Sequence, residues 1–398
     1  MGTTATCLMK PESQDNDMSS SPARDTPGVP SLLGTDTRLC PDASGQPGPV
    51  LKEYLLQNAP DVQGWANKAG DVFFEKQRQQ ADHADGNTVR FFYQMMKAIA
   101  TEMNQATGAL RVQRKGRGRA RILDFCTAPG GFLESAMEMN FGATAMGFSL
   151  PPTQGGHEII MPLSSSVTFK YADVTMFAGD MGYTDIPRDN PDAENFVLER
   201  RISPDQRFDL IFCDGQVLRT HARAAYREQW EARRLAATQL AIGLQHVSPG
   251  GTMVVLLHKL DAVHTVSLIY AFSKFSRIKL FKPRRAHAKR SSFYMIAANI
   301  QSNSLHAREA MESWRLMWRV MTFASDEERQ RISESHVDER VLVEQFGPEL
   351  VRLGREIWEI QARALEKAPF MQAGQNEGRK TSWRTPLPGN KAADGKLV

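Results

Sequence analysis

The feature that most constrains this chain is the stretch of residues 121–132, Arg-Ile-Leu-Asp-Phe-Cys-Thr-Ala-Pro-Gly-Gly-Phe. An apolar, β-favouring run stops at a Pro-Gly-Gly turn and a helical pattern then begins at Phe132, which predicts a strand, a tight turn and a helix. Gly130 and Gly131 let a ligand approach the backbone, and the start of the following helix offers unpaired N–H groups. Asp124 lies near the strand end, where it can present an acceptor. The stretch therefore predicts a nucleotide-type pocket.

Apolar strands alternate with helical patterns through the middle of the chain. Strands are predicted at residues 122–126, 143–149, 167–171, 208–213, 252–257, 277–281 and 293–298, and long helices at 222–246 and 264–275. This alternation predicts an α/β fold with a mostly parallel sheet covered by helices on both faces. Ligands of such sheets bind beyond the C-terminal ends of the strands, where Asp124, Ser149, Asp173 and Asp214 all fall.

Composition predicts the remaining organisation of the 398-residue chain. Residues 1–50 and 371–398 are predicted to be disordered tails, because their polar composition cannot bury enough surface to offset ordering entropy. Residues 51–107 read as a helical lead-in, 108–300 as the α/β domain and 301–370 as a helical C-terminal extension. Residues 178–206 are rich in Asp, Pro, Gly and Asn and are predicted to form a long surface insertion.

Charge and cysteine usage narrow the class of protein. The formal net charge of +4 does not by itself indicate a nucleic-acid binder, but a late basic cluster predicts a phosphate-bearing partner. The residues expected to contact RNA in this cluster are Lys282, Arg284, Arg285, Lys289 and Arg290. Four cysteines without metal-ligand spacing favour a reducing intracellular compartment, nucleus or cytoplasm. No apolar run of the length of a membrane span is present in the sequence, so no membrane span is expected.

The string Asp-Phe-Cys-Thr-Ala-Pro-Gly-Gly-Phe resembles the first motif of the FtsJ-type, or RrmJ-like, S-adenosylmethionine-dependent methyltransferases. This family includes ribosomal and cap ribose 2′-O-methyltransferases. The resemblance to the family covers about residues 89–300 and is nearest to the cap enzymes. It implies a Rossmann-like sheet with one antiparallel strand, S-adenosylmethionine as cofactor, no metal, and an RNA substrate. The cofactor-binding residues that it implies are Asp124, Thr127, Ala128, Pro129, Gly130, Gly131, Phe132, Ser149, Asp173 and Val174.

The family's chemistry uses a Lys-Asp-Lys-Glu tetrad around the ribose hydroxyl, and this sequence matches it in part. Lys97 and Asp214 resemble the first two members. The two later positions hold Leu256 and Ser292, so Lys259 is the candidate for the missing lysine, with His258 as the weaker alternative. The resemblance therefore predicts an RNA ribose 2′-O-methyltransferase with an incomplete tetrad.

Two other functions remain open at this point. The first is a catalytically silent methyltransferase-fold protein that binds RNA or cofactor, which Leu256 and Ser292 favour. The second is methylation of a more acidic substrate, which needs no lysine base. Both alternatives keep the same fold and differ only in the chemistry of the site.

Overall fold

The structure is a computed structural model that describes residues 48–59, 72–73, 86–113, 118–334 and 338–368. The two tails predicted to be disordered lie outside these ranges, apart from residues 48–50: Gly48 is the N-cap of the first helix, and residues 49 and 50 belong to that helix. None of the helices described combines the length and the apolar character needed to cross a bilayer.

A seven-stranded sheet forms the centre of the protein. Its strands are β1 Arg121–Asp124, β2 Thr144–Ser149, β3 Val167–Tyr171, β4 Phe208–Cys213, β5 Val247–His258, β6 Arg277–Phe281 and β7 Ser292–Ala298. The strand order is β3-β2-β1-β4-β5-β7-β6. The first five strands pair in parallel, whereas β7 runs antiparallel to both β5 and β6. The predicted mostly parallel sheet with one antiparallel strand is confirmed.

Ten helices surround or extend this sheet in the described part of the chain. They are α1 Pro49–Asn58, α2 Gly86–Thr107, α3 Gly131–Met139, α4 Ala178–Met181, α5 Ala225–Glu228, α6 Glu231–His246, α7 Val263–Ser273, α8 Leu305–Phe323, α9 Asp326–Glu334 and α10 Glu339–Glu366. One core cluster joins a sheet face to α2 and α3. The other joins the opposite face to α1, α6, α7, α8 and α10. Both faces are therefore covered, as the apolar strands require.

Some elements differ from their predicted form. The helix expected over residues 222–246 is interrupted at Gln229 and Trp230, which separate α5 from α6. Strand β5 begins at Val247 rather than at residue 252. Its register with β4 shifts between Phe208 and Leu210, and this irregularity accommodates the turn-favouring residues 249–251 within the strand.

The segment of residues 178–206 packs more closely than a surface insertion would. Met181 and Ile202 are buried in the core that includes α6. The buried carboxylate of Asp180 accepts hydrogen bonds from the backbone N–H groups of Arg201 and Ile202. These bonds satisfy the polar groups that an irregular segment brings into the interior.

Candidate cofactor and catalytic site

A cavity opens beyond the C-terminal ends of β1, β2 and β4. Its lining combines apolar side chains with acids and imidazoles from six separate segments of the chain. The polar and charged side chains that line it are Ser149, His157, Asp173, Thr175, Asp214, Gln216, His221 and Glu231. Four residues predicted for cofactor binding, Ala128, Ser149, Asp173 and Val174, meet Asp214 here.

The glycine turn after β1 is shaped by protein neighbours. Gly130 adopts a φ of 113°, and a Cβ there would lie 2.5 Å from the side chain of Met161. A Cβ on Gly131 would lie 2.5 Å from the carbonyl oxygen of Tyr93 on α2. Any larger residue would therefore push away the segment or the helix that covers the turn.

The other residues of the turn lie behind the cavity. Pro129 accepts backbone hydrogen bonds from residues 160 and 161 and so fixes the covering segment. Thr127 is fully buried, and its hydroxyl donates to the carbonyl of Asp124. The ring of Phe132 packs 5.7 Å from those of Phe212 and Tyr294, measured between centroids. These residues hold the turn in place rather than line the pocket.

Two interacting carboxyl groups lie at the ends of β1 and β4: Asp124 is buried, and Asp214 is half-buried. Burial raises the pKa of Asp214 to about 7, against an opposing backbone hydrogen bond. Burial and the neighbouring Asp214 raise the pKa of Asp124 well above its ordinary value. Asp124 Oδ2 and Asp214 Oδ1 are buried without a hydrogen-bond partner in the described structure. This pair would be stabilised by a cationic group bound in the cavity.

Asp173 is held from several sides at the end of β3. Its Oδ1 accepts hydrogen bonds from the backbone N–H and the hydroxyl of Thr175, at 3.0 and 2.7 Å. Its Oδ2 lies 3.1 Å from Arg227 Nη1 and 3.5 Å from His221 Nε2. Burial acts to raise the pKa of Asp173, but Arg227, Thr175, Arg234 and His221 outweigh it, and the pKa lies below its ordinary value. The carboxylate is therefore charged and firmly oriented.

Lys97 of α2 is directed toward α3. Its ammonium lies 3.1 Å from Glu134 Oε2 and 2.9 Å from Glu138 Oε1. The neighbouring Met96 lines the cavity together with Asp214. Lys97 thus lies beside the site, where two carboxylates already hold it.

The tetrad positions on β5 and β7, Leu256 and Ser292, lie diagonally across this strand pair. Leu256 pairs with Tyr294, and His258 pairs with Ser292. Directly opposed residues share a sheet face, and so do residues two apart. The face thus presents a leucine and a serine at the family's Lys and Glu positions, with His258 beyond Leu256. The His258 ring lies 2.9 Å from Gln216 Oε1, and burial, then Arg290, Lys282 and Lys259, lowers its pKa to about 4.

Lys259 begins the turn after β5. It has a left-handed φ of 49°, its N–H donates to Ser291 and its carbonyl accepts from Ala262. The chain therefore leaves the sheet at this residue, and Lys259 is not among the described residues that line the cavity.

Lys282 has a different environment from the rest of the basic cluster. Only 2% of it is exposed, and its ammonium donates to the carbonyls of Arg290 and Ser292 at 2.6 and 2.9 Å. Burial lowers its pKa to about 7. Lys282 thus stabilises the β6–β7 loop through its buried hydrogen bonds and does not present its charge to solvent. In the same loop, Arg284, Arg285 and Arg290 are exposed and Lys289 is half-buried.

Three residues of the cavity region were missed by sequence reasoning. His221 and Glu231 line the cavity, and Arg227 binds Asp173 from behind it. The spacing of four between Arg227 and Glu231, followed by three to Arg234, would place opposite charges on one face of the continuous helix predicted over residues 222–246, and it was the available signal.

Comparisons with known proteins give the family. The family model described as FtsJ-like methyltransferase matches residues 101–300, half of the chain. No curated protein sequence matches the chain significantly. A solved structure assigned as a ribosomal RNA methyltransferase from Plasmodium falciparum is 16% identical, covers 52% of this chain and 96% of its own, and has a TM-score of 0.32.

Two further solved structures show similar values. An O-methyltransferase family protein from Burkholderia thailandensis is 11% identical over 63% of this chain and 72% of its own, with a TM-score of 0.31. Human methyltransferase-like protein 13, solved with S-adenosylhomocysteine (SAH), is 11% identical over 64% of this chain and 96% of its own, with a TM-score of 0.30. On the strength of the family model, the chain belongs to the FtsJ-like methyltransferases.

Proposed function

We propose that this methyltransferase transfers a methyl group from S-adenosylmethionine (SAM) to a ribose 2′-hydroxyl of an RNA. The observation that carries the proposal is the cavity beyond β1, β2 and β4, in which Asp214 meets Ala128, Ser149 and Asp173. FtsJ-like enzymes bind their cofactor at this end of the sheet, and the chain belongs to that family.

The residues of the cavity fit this cofactor. When bound, SAM supplies an electrophilic methyl group on a positively charged sulfonium. Asp214 lines the cavity and its Oδ1 is buried without a hydrogen-bond partner in the described structure. A bound sulfonium would favour the ionised form of this carboxyl, in a buried place where such an interaction is strong. Asp173 and Val174 would hold the adenine, and Ser149 the cofactor ribose. The turn after β1 would keep its shape beneath the cofactor through Thr127, Pro129, Gly130, Gly131 and Phe132.

Lys97, Asp214 and Lys259 form the proposed catalytic set. A ribose hydroxyl is a poor nucleophile, so a positioned ammonium is needed to stabilise the charge that develops on its oxygen as the proton leaves. Lys259 begins the turn after β5, three residues beyond Leu256. Lys97 would supply a second ammonium to the site once it leaves its ion pairs with Glu134 and Glu138 and contacts the substrate.

RNA would bind through the basic residues of the β6–β7 loop. Arg284 and Arg285 are exposed, and Lys289 and Arg290 follow them on the same loop. Neutralising phosphates releases counterions, which makes such a surface a general phosphate binder. Lys282 would support the loop through its two backbone carbonyl contacts.

The second candidate is a catalytically silent module that binds cofactor or RNA. It is favoured by the contacts of Lys97 with two carboxylates and by Leu256 and Ser292 at the Lys and Glu positions. Under this hypothesis the cavity binds its ligand, but no cation reaches the ribose oxygen.

Methyl transfer from labelled SAM separates these functions. Total RNA and total protein fractions are incubated with the wild type, with Asp214→Ala and with the double variant Leu256→Lys/Ser292→Glu. Label at ribose 2′ positions of RNA that disappears with Asp214→Ala supports the proposal. Cofactor binding without transfer, combined with transfer by the double variant, supports the silent module. Label found in protein alone contradicts an RNA substrate.

A further inference from the structure

A chain of buried charges links the cofactor cavity to the C-terminal helices. Arg227 Nη1 lies 3.1 Å from Asp173 Oδ2 and 3.2 Å from Glu231 Oε1. Arg234 Nη1 lies 2.6 Å from the other oxygen of Glu231. Arg227, Glu231 and Arg234 are each at most 4% exposed. These four residues, Asp173, Arg227, Glu231 and Arg234, are called the buried ion chain below.

Helix α8 contacts the buried ion chain at Arg234, at the opposite end from Asp173. Arg234 Nε donates to the Thr322 hydroxyl at 3.0 Å, and Trp318 Nε1 donates to the carbonyl of Thr175 at 2.9 Å. Arg234 Nη2 donates to the same carbonyl at 3.2 Å. Trp318 is fully buried. Helix α8 thus holds the short turn that begins at Asp173, and does so by two separate contacts.

The same atoms explain why this cluster is not a metal site. Ligand atoms of Asp173, His221 and Glu231 lie within 4.8 Å of one another, a spacing that would suit a cation. Arg227 Nη1, however, already bridges the two carboxylates. The guanidinium occupies the position of the cation and orients both acids with directional hydrogen bonds.

We infer that Arg234, Trp318 and Thr322 are positioning residues that hold Asp173 for cofactor binding, so that helix α8 is part of the cofactor site. This inference rests on the proposed function for the role of Asp173. The physical argument is that Thr175 binds Asp173 through its N–H and hydroxyl, while its carbonyl is fixed by Arg234 and Trp318. Helix α8 lies outside the matched residues 101–300, so the family's motif residues do not include it.

The test is SAM and SAH affinity, measured by calorimetry on the full chain, beside the melting temperature. Thr322→Val keeps the shape of the side chain and removes the acceptor of Arg234. We expect about three- to tenfold weaker binding of both ligands, because a charged donor loses its partner. Thr322→Ser restores the hydroxyl and should recover most of the affinity.

Met321→Leu is the matched control. Met321 is fully buried on the same helix, and exchange for leucine conserves volume. It should change the melting temperature without weakening SAM binding. If Thr322→Val binds as tightly as the wild type, or if Met321→Leu weakens binding equally, the inference is wrong.

A double-mutant cycle shows whether the effect passes through Asp173. In an Asp173→Asn background, Thr322→Val should weaken binding by less than twofold, because the carboxylate that it positions has gone. Full additivity of the two effects would overturn the inference while leaving the proposed function intact. Failure of the wild type to bind either SAM or SAH would overturn both.

Discussion

Asp214 gives a prediction about pH that does not depend on finding the substrate. Burial raises its pKa to about 7, whereas an unfolded chain has a carboxyl pKa of about 3.9. Between these values the folded protein keeps a proton that the unfolded chain releases. The free energy of unfolding therefore falls as pH rises from about 4 to about 7.

Asp214→Asn removes the contribution of Asp214 to this pH dependence, whereas Asp124, whose pKa is also raised, remains. The variant should lose less stability between pH 5 and pH 8 than the wild type, by an amount on the order of 2 kcal/mol. Urea denaturation at both pH values measures the difference. Parallel pH profiles for the two proteins would contradict the burial of a titrating Asp214.

Lys259 carries the prediction about catalysis. Lys259→Asn removes the ammonium while keeping a residue that tolerates the left-handed backbone observed there, with φ at 49°. We expect methyl transfer to fall by about 100-fold or more, since general acid or base groups contribute at least that much. SAM affinity, measured by calorimetry, should stay within twofold. Full transfer by this variant would leave Lys97 as the remaining proposed cation.

The sequence located the strand-end residues of the site but not their partners. Asp173 and Asp214 could be predicted because the ends of parallel strands meet at one edge of a sheet. Arg227 and Glu231 were missed, because charged residues on a predicted helix are usually solvated. Lys282 was expected to contact RNA as part of the late basic cluster and is buried. Burial of a charged side chain depends on distant elements that pack on it, which a local pattern cannot show.

Among the secondary-structure elements, the bounds of strand β4 were predicted more accurately than the interruption between helices α5 and α6. Strand β4 is a continuous apolar run, buried on both faces, and its bounds are those predicted. The interruption between α5 and α6 at Gln229 and Trp230 could not be predicted, because no proline or glycine lies there. Trp230 is buried in the core and donates its N–H to Arg227, so tertiary packing determines where α6 begins.

The β6–β7 loop carries a prediction about RNA. Replacing Arg284, Arg285 and Lys289 by Gln should weaken RNA binding and lower the slope of log K against log salt by about 0.7 per lost phosphate contact. Fluorescence anisotropy at several salt concentrations measures both quantities.

Lys282→Met is the contrasting variant in the same loop. It removes a buried ammonium that bonds to backbone carbonyls, so it should lower the melting temperature and leave the salt slope unchanged. An unaltered slope in the triple Gln variant would show that the loop is not the RNA surface.

For the whole molecule, the predicted helical extension at residues 301–370 belongs to the same core as the sheet. Trp314, Trp318 and Trp358 are buried in the cluster that includes β4, β5 and α6. The composition of the extension indicated helices but not their partner, because amphipathic helices with apolar stripes pack equally well on each other or on a sheet. The predicted boundary at residue 301 therefore does not separate two hydrophobic cores.

This shared core predicts that the described helices and the sheet unfold together. Three of the buried tryptophans among the described residues lie in α8 and α10. Tryptophan fluorescence should lose its native signal at the same urea concentration as the far-ultraviolet circular dichroism of the whole chain. SAM in excess should move both midpoints upward together, since a ligand that binds only the folded state stabilises the entire cooperative unit. Two separated midpoints, with SAM shifting only one of them, would show that α8 and α10 fold independently of the cofactor site.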